Sequence, residues 1–175
     1  MTHRVLAVDD NEIVGCMLAA RLWVAGYDVE VAHGAAEAFL ALKRGAYDLV
    51  LMDLEMPEVD GLQALDILMR DQLCPGVPVV LLTASENFDV VQRAYGLGAK
   101  GYLTKSTDAS ELVKTVGRIV RTRNLVWIDD HHCVLEKEAD AAGGPTFMSI
   151  ASKADAEPPS EQAERLDKPP AGLVA

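Results

Sequence analysis

Short apolar runs alternate with helix-length segments along the first two-thirds of the chain, and this recurrence restricts the fold more than any other feature. RVLAV (4 to 8), YDVEV (27 to 31), DLVLM (48 to 52) and VPVVLL (77 to 82) read as strands, with a shorter fifth at GYLT (101 to 104). Helices are expected over Asn11 to Val24, Ala35 to Arg44, Leu62 to Arg70, Asp89 to Tyr95 and Asp108 to Arg121, each bounded by Gly, Pro or a capping residue. Asp108 with Glu111 resembles a capping box, and Val113, Val116 and Val120 recur at helical spacing on one stripe. Single helices between strands require parallel crossovers, so the sheet is covered on both faces: a doubly wound α/β domain. VLAV, LVLM and VVLL are continuous and belong inside that sheet. YDVEV alternates apolar and polar residues, as an edge strand does.

The pattern stops near Asn124. Five of the eight prolines lie beyond it, and residues 129–175 hold ten Asp and Glu against four Lys and Arg. Too few large apolar residues remain to offset chain entropy, so residues 143–175 are expected to be a disordered acidic, Pro-rich tail. Residues 125–142 read as a connector in which Trp127 and Ile128 pack back on the domain and Val134 to Ala142 has the composition for a short helix.

Other bounds come from charge and cysteine usage. A formal charge of −11 argues against binding a phosphate backbone, which needs clustered Lys and Arg. The opening MTHRVLAVDDNE has only a four-residue apolar run before two aspartates, too short for a signal-peptide core or a membrane span. A cytoplasmic protein is the expectation. Cys16, Cys74 and Cys133 are widely spaced and make no metal-ligand pattern, and His131-His132-Cys133 has no second cluster to complete one. Met52, Met56 and Met69 read as packing residues.

In an open parallel sheet, ligands bind at the carboxyl ends of the strands. Here the first strand runs into Asp9-Asp10, the third into Asp53, the fourth into Thr83 and the fifth into Lys105. Three carboxylates in one crevice repel one another unless protonated or bridged by a cation. Oxygen-only ligands select a hard ion, of which Mg²⁺ is the abundant one. A divalent ion, an ammonium and a hydroxyl together suit the oxygens of a phosphoryl group, and a carboxylate among them can act as nucleophile to form an aspartyl phosphate. Asp53 is single and central, which leaves Asp9 and Asp10 for the metal. Any one of these residues alone is more often a cap, a solvated Lys or a β-former; their joint placement carries the argument.

VLAVDDNE, LVLMDLEMPEVDG, VVLLTAS and AKGYLTKS resemble, in order, the four sequence blocks of the receiver domain of two-component response regulators. The resemblance spans residues 4 to about 123 and implies a flavodoxin-like (βα)₅ sheet of order 2-1-3-4-5. It implies that Asp53 accepts a phosphoryl group from a sensor histidine kinase or phosphotransfer protein. Asp10 and Asp53 would hold Mg²⁺ directly, Asp9 through water, and Glu55 through its backbone carbonyl. Lys105 would pair with the phosphoryl oxygens, Thr83 would move to hydrogen-bond them, and Tyr102 would swing inward behind it. Met56, Pro57 and Gly61 would shape the adjoining loop. The face made by the fourth helix, fifth strand and fifth helix, with Arg93, Tyr102, Lys114 and Arg118, would then change for a downstream partner, and Glu55 and Ser85 stand where the family tunes phosphoryl lifetime.

Ser106 stands where most receivers have Pro after the Lys, across a cis bond that costs a non-proline residue roughly 2.5 to 4 kcal/mol. A non-proline residue here, and the stretch IVRTRNLVWIDDHHCVL, resemble the receivers joined to a LuxR-type helix-turn-helix. No such motif follows Ala142, so the expectation is a stand-alone receiver: a phospho-acceptor switch rather than an enzyme, without direct nucleic-acid or membrane binding. Docking to a partner, relay or storage of the phosphoryl group, and a phosphorylation-linked homodimer all remain open. Two rivals fit less well. A haloacid-dehalogenase-type phosphatase needs its nucleophile after the first strand with a second Asp two residues on, and a nucleotide or flavin binder needs a Gly-rich phosphate loop.

Overall fold

The structure, a computed structural model, describes residues 2–84, 88–121, 125–127, 133–136 and 147–150. Five β/α units follow one another: β1 (Arg4–Val8), α1 (Glu12–Val24), β2 (Asp28–Ala32), α2 (Ala35–Arg44), β3 (Leu49–Asp53), α3 (Gly61–Arg70), β4 (Val79–Thr83), α4 (Phe88–Gly96), β5 (Gly101–Thr104) and α5 (Ala109–Arg121). The strands are parallel in the order β2-β1-β3-β4-β5, the flavodoxin-like arrangement, with β2 at the edge. β2 extends to Ala32, whose carbonyl accepts the Asp9 N–H and so ties the edge strand to the end of β1.

Three short strands continue the sheet past β5. β6 (Leu125–Trp127) runs parallel to β5 with Trp127 opposite Gly101, and β7 (Cys133–Glu136) and β8 (Phe147–Ile150) follow antiparallel. Cys133–Glu136 is thus a strand where composition suggested the start of a short helix, because it finds pairing partners on both sides. Phe147–Ile150 is likewise a strand inside the tail expected to lack structure; it is a mostly apolar stretch, and it pairs with β7. Ile128 and the rest of the connector and tail lie outside the described residues.

The core divides at the sheet because strand side chains alternate. Leu6, Val8, Val50, Met52, Val79, Leu81 and Tyr102 pack with α2, α3 and α4 on one face. Val5, Ala7, Leu49, Leu51, Val80, Leu82 and Leu103 pack on the other with Leu18 and Leu22 of α1 and Leu112, Val116 and Ile119 of α5. Continuing that alternation past the strand ends sends Asp9, Asp53 and Lys105 toward the α1/α5 side and Thr83 toward the α4 side.

Side chains fix the starts of α1, α3 and α5. Asn11 caps α1, its side chain accepting from the Ile13 and Val14 N–H groups. Asp60 and Gln63 form a reciprocal capping box on α3, satisfying two donors a helix start leaves unpaired. Asp108 accepts from the Ser110 N–H at 2.7 Å ahead of α5. No described peptide bond is cis, so Lys105–Ser106 is trans. No helix among the described residues is long and apolar enough to cross a membrane.

Candidate functional site

The carboxyl ends of β1 and β3 and the turn after β5 bring three groups together. Lys105 Nζ lies 2.9 Å from Asp9 Oδ2 and 2.8 Å from Asp53 Oδ2, bridging two carboxylates that are 0% and 1% exposed. Ligand oxygens of Asp9, Asp10 and Asp53 all fall within 4.8 Å of one another, and Asp10 is exposed. The remaining oxygens are partly held by backbone: Asn11 N–H donates to Asp9 Oδ1 at 3.0 Å and Glu55 N–H to Asp53 Oδ1 at 3.2 Å. Lys105 is fixed at its root as well, its N–H donating to the Thr83 carbonyl at 2.6 Å.

These contacts pull the ionisations in opposite directions. Burial pushes the Asp53 carboxyl above its ordinary value and the charge of Asp9 adds to this, while Lys105 and the Glu55 N–H act against it. Burial opposes the charge on Lys105, but its bonds to Asp53 and Asp9 outweigh that and hold the ammonium above its usual range. Three carboxylates against one ammonium leave two formal negative charges in the cluster. All donors are hard oxygens, so the set suits a small divalent cation.

The loop after β3 is held close to Asp53 by geometry that only glycine permits at position 61. A Cβ there would meet the Asp53 carbonyl oxygen at 2.4 Å and the Leu54 Cα at 2.8 Å. Between them Glu58 adopts φ 66°, with the Val59 N–H donating to the Pro57 carbonyl at 2.7 Å, a tight positive-φ γ-turn. Met56 is buried beneath the loop.

Thr83 is fully buried at the end of β4. Tyr102 is 1% exposed and packed in the α4-side core, so it already points inward and offers no surface to a partner. Arg93, Lys114 and Arg118 are exposed, with Lys114 3.8 Å from Glu111. Ser85 lies outside the described residues, and Glu55 is exposed, with its amide on Asp53.

Sequence reasoning missed the Asn11 amide on Asp9, the Asp60–Gln63 box and a cluster of hydroxyls around Lys105. For the box, Asp-x-x-Gln before an apolar run was the available signal. For the hydroxyls there was none, since Thr and Ser in a turn are commonplace.

An open, doubly wound α/β sheet whose strand ends hold an acidic cluster bridged by one lysine defines the class. Residues 5–117 match the family model of the response regulator receiver domain, and the chain belongs to that family. It is 31% identical over 118 residues to the DNA-binding dual master transcriptional regulator RpaA of Synechocystis, covering 67% of this chain and 49% of that one. It is 35% identical over 141 residues to the transcriptional regulatory protein TrcR of Mycobacterium tuberculosis, covering 79% and 50%. The chain thus spans about half the length of these two relatives. Among solved structures, the chemotaxis response regulator CheY4 of Vibrio cholerae superposes with a TM-score of 0.64 at 28% identity, over 68% of this chain and 99% of that one.

Proposed function

We propose that this receiver is a phosphorylation switch in which Asp53 accepts a phosphoryl group from the phosphohistidine of a sensor kinase or phosphotransfer protein in the cytoplasm. The observation that supports it most is the Lys105 ammonium within hydrogen-bond reach of both Asp9 and Asp53. An Asp53 oxygen attacks phosphorus, the P–N bond of the donor breaks, and the departing imidazole keeps the electron pair and takes a proton. Lys105, already beside Asp53 Oδ2, neutralises charge on the transferred oxygens. The Glu55 N–H stays on the other carboxylate oxygen and orients the nucleophile.

Asp9, Asp10 and Asp53, with the Glu55 carbonyl, are the groups that would hold Mg²⁺. Bound there, the ion would supply the positive charge that phosphoryl transfer between anions requires. A phosphoryl group adds about −1.5 to −2 charge, which draws on Lys105 and on the Thr83 hydroxyl. The α4-β5-α5 side, where Arg93, Lys114 and Arg118 are exposed, then presents the altered surface to a downstream protein. In this reading the chain is a switch and not an enzyme acting on other substrates.

Two experiments test it. Incubated with a small-molecule acyl phosphate and Mg²⁺, the wild type should gain one phosphoryl group by intact mass and Asp53→Asn none. An equal gain in Asp53→Asn refutes the acceptor assignment. Mg²⁺ should also raise the melting temperature, with a stabilisation of about 2.7 kcal/mol at a hundredfold excess over its dissociation constant. Asp10→Ala should lose most of that response; an undiminished rise in this variant refutes the metal assignment.

A further inference from the structure

Lys105 reaches two carboxylates through a flexible four-carbon stem, so what fixes its backbone decides where the ammonium sits. Three hydroxyls surround that backbone, and two of them converge on the third, Thr104 Oγ1. Ser106 Oγ donates to Thr104 Oγ1 at 3.1 Å, closing a bridge over Lys105 itself. Thr107 Oγ1 shares a hydrogen bond with Thr104 Oγ1, also at 3.1 Å, and the Thr107 N–H donates to the Thr104 carbonyl at 3.0 Å. Thr107 is buried, which anchors the far end of the turn. At the near end, Thr104 stands opposite Thr83 in the parallel β4–β5 register, and the Lys105 N–H goes to the Thr83 carbonyl at 2.6 Å.

We infer that Thr104 is a positioning residue for Lys105: its hydroxyl, ahead of the lysine and tied across it to both Ser106 and Thr107, holds the lysine backbone so that the ammonium bridges Asp9 and Asp53. Its hydroxyl bonds Ser106 and Thr107, so it acts through the lysine. The register partner matters too. Because Thr104 and Thr83 are paired residues on adjacent strands, the hydroxyl cluster and the switch threonine share one stretch of backbone, and a shift at either moves the lysine root. The inference rests on the acceptor reading only for its catalytic consequence.

Thr104→Val keeps the side-chain shape and removes the hydroxyl, whereas Thr104→Ser keeps the hydroxyl. In the full chain at saturating Mg²⁺, Thr104→Val should slow phosphoryl gain from an acyl phosphate about fivefold, the worth of one net hydrogen bond. Thr104→Ser should restore the rate, and the Mg²⁺ midpoint should stay unchanged, because no ligand oxygen has been touched. The same substitutions enter a double-mutant cycle on unfolding with Lys105→Met: the loss from Thr104→Val should disappear when the lysine is absent. A residue that merely stabilises the turn gives additive losses in that cycle, and this result overturns the inference, as does an unslowed Thr104→Val. The unfolding cycle needs no phosphoryl transfer. A wild type that takes up no phosphoryl group therefore defeats the acceptor reading while the cycle still decides the role of Thr104.

Discussion

Lys105→Met is expected to cost about 3 kcal/mol of stability at neutral pH in metal-free buffer, the low end for a broken buried ion pair because the lysine is 25% exposed. The substitution leaves Asp9 and Asp53 facing each other with no cation between them. Burial and Asp9 already lift the Asp53 carboxyl above the ordinary 3.8, and removing the ammonium removes a group that lowers it. With its folded pKa raised, Asp53 binds more protons in the folded than in the unfolded state, so stability falls as pH rises through that window. The gap between variant and wild type should therefore be small near about pH 3 and widen toward neutrality. Urea unfolding across the pH range measures it, and a pH-independent gap would mean that the lysine stabilises by packing alone.

Gly61→Ala should be about as damaging, with a loss of roughly 3 kcal/mol, the upper end of overpacking costs. No rotamer can relieve the clash, since the added carbon meets the Asp53 carbonyl oxygen and the Leu54 Cα, both backbone atoms. Relief requires moving the chain beside Asp53, so under the proposed acceptor role phosphoryl uptake should fall along with the melting temperature, which drops by about 10 °C. Gly96→Ala is the matched control: a Cβ there meets nothing within 4 Å. If the two variants melt together, the close approach at Gly61 is not a constraint.

What could be read in advance follows a physical division. The meeting of Asp9, Asp53 and Lys105 was legible because each ends or directly follows a strand whose apolar run is unmistakable, and a parallel sheet opens all such ends on one rim. The edge position of β2 was legible from its alternation. The strand Cys133–Glu136 was not, since four residues of Cys-Val-Leu-Glu suit helix or strand equally, and the choice is made by pairing with Phe147–Ile150 farther along the chain. Gly61 was read as loop, one residue ahead of the helix it begins, because its reason for being glycine is a carbonyl eight positions back. Which hydroxyl meets which around Lys105 depends on rotamers and a tight turn, and no spacing encodes that.

The alternation of side chains along β1, β3, β4 and β5 makes the sheet a bulkhead between two separately packed compartments. The lysine-bridged carboxylates open toward one of them, while Tyr102 packs in the other and the alternation along β4 turns Thr83 the same way. Under the proposed switch, a charge added at Asp53 reaches the second compartment only at the strand ends, where the Thr83 hydroxyl turns to it and where neighbouring residues face opposite ways, at Leu82–Thr83 and Thr104–Lys105; a substitution that stiffened those few peptide links would mute the signal while leaving both compartments intact.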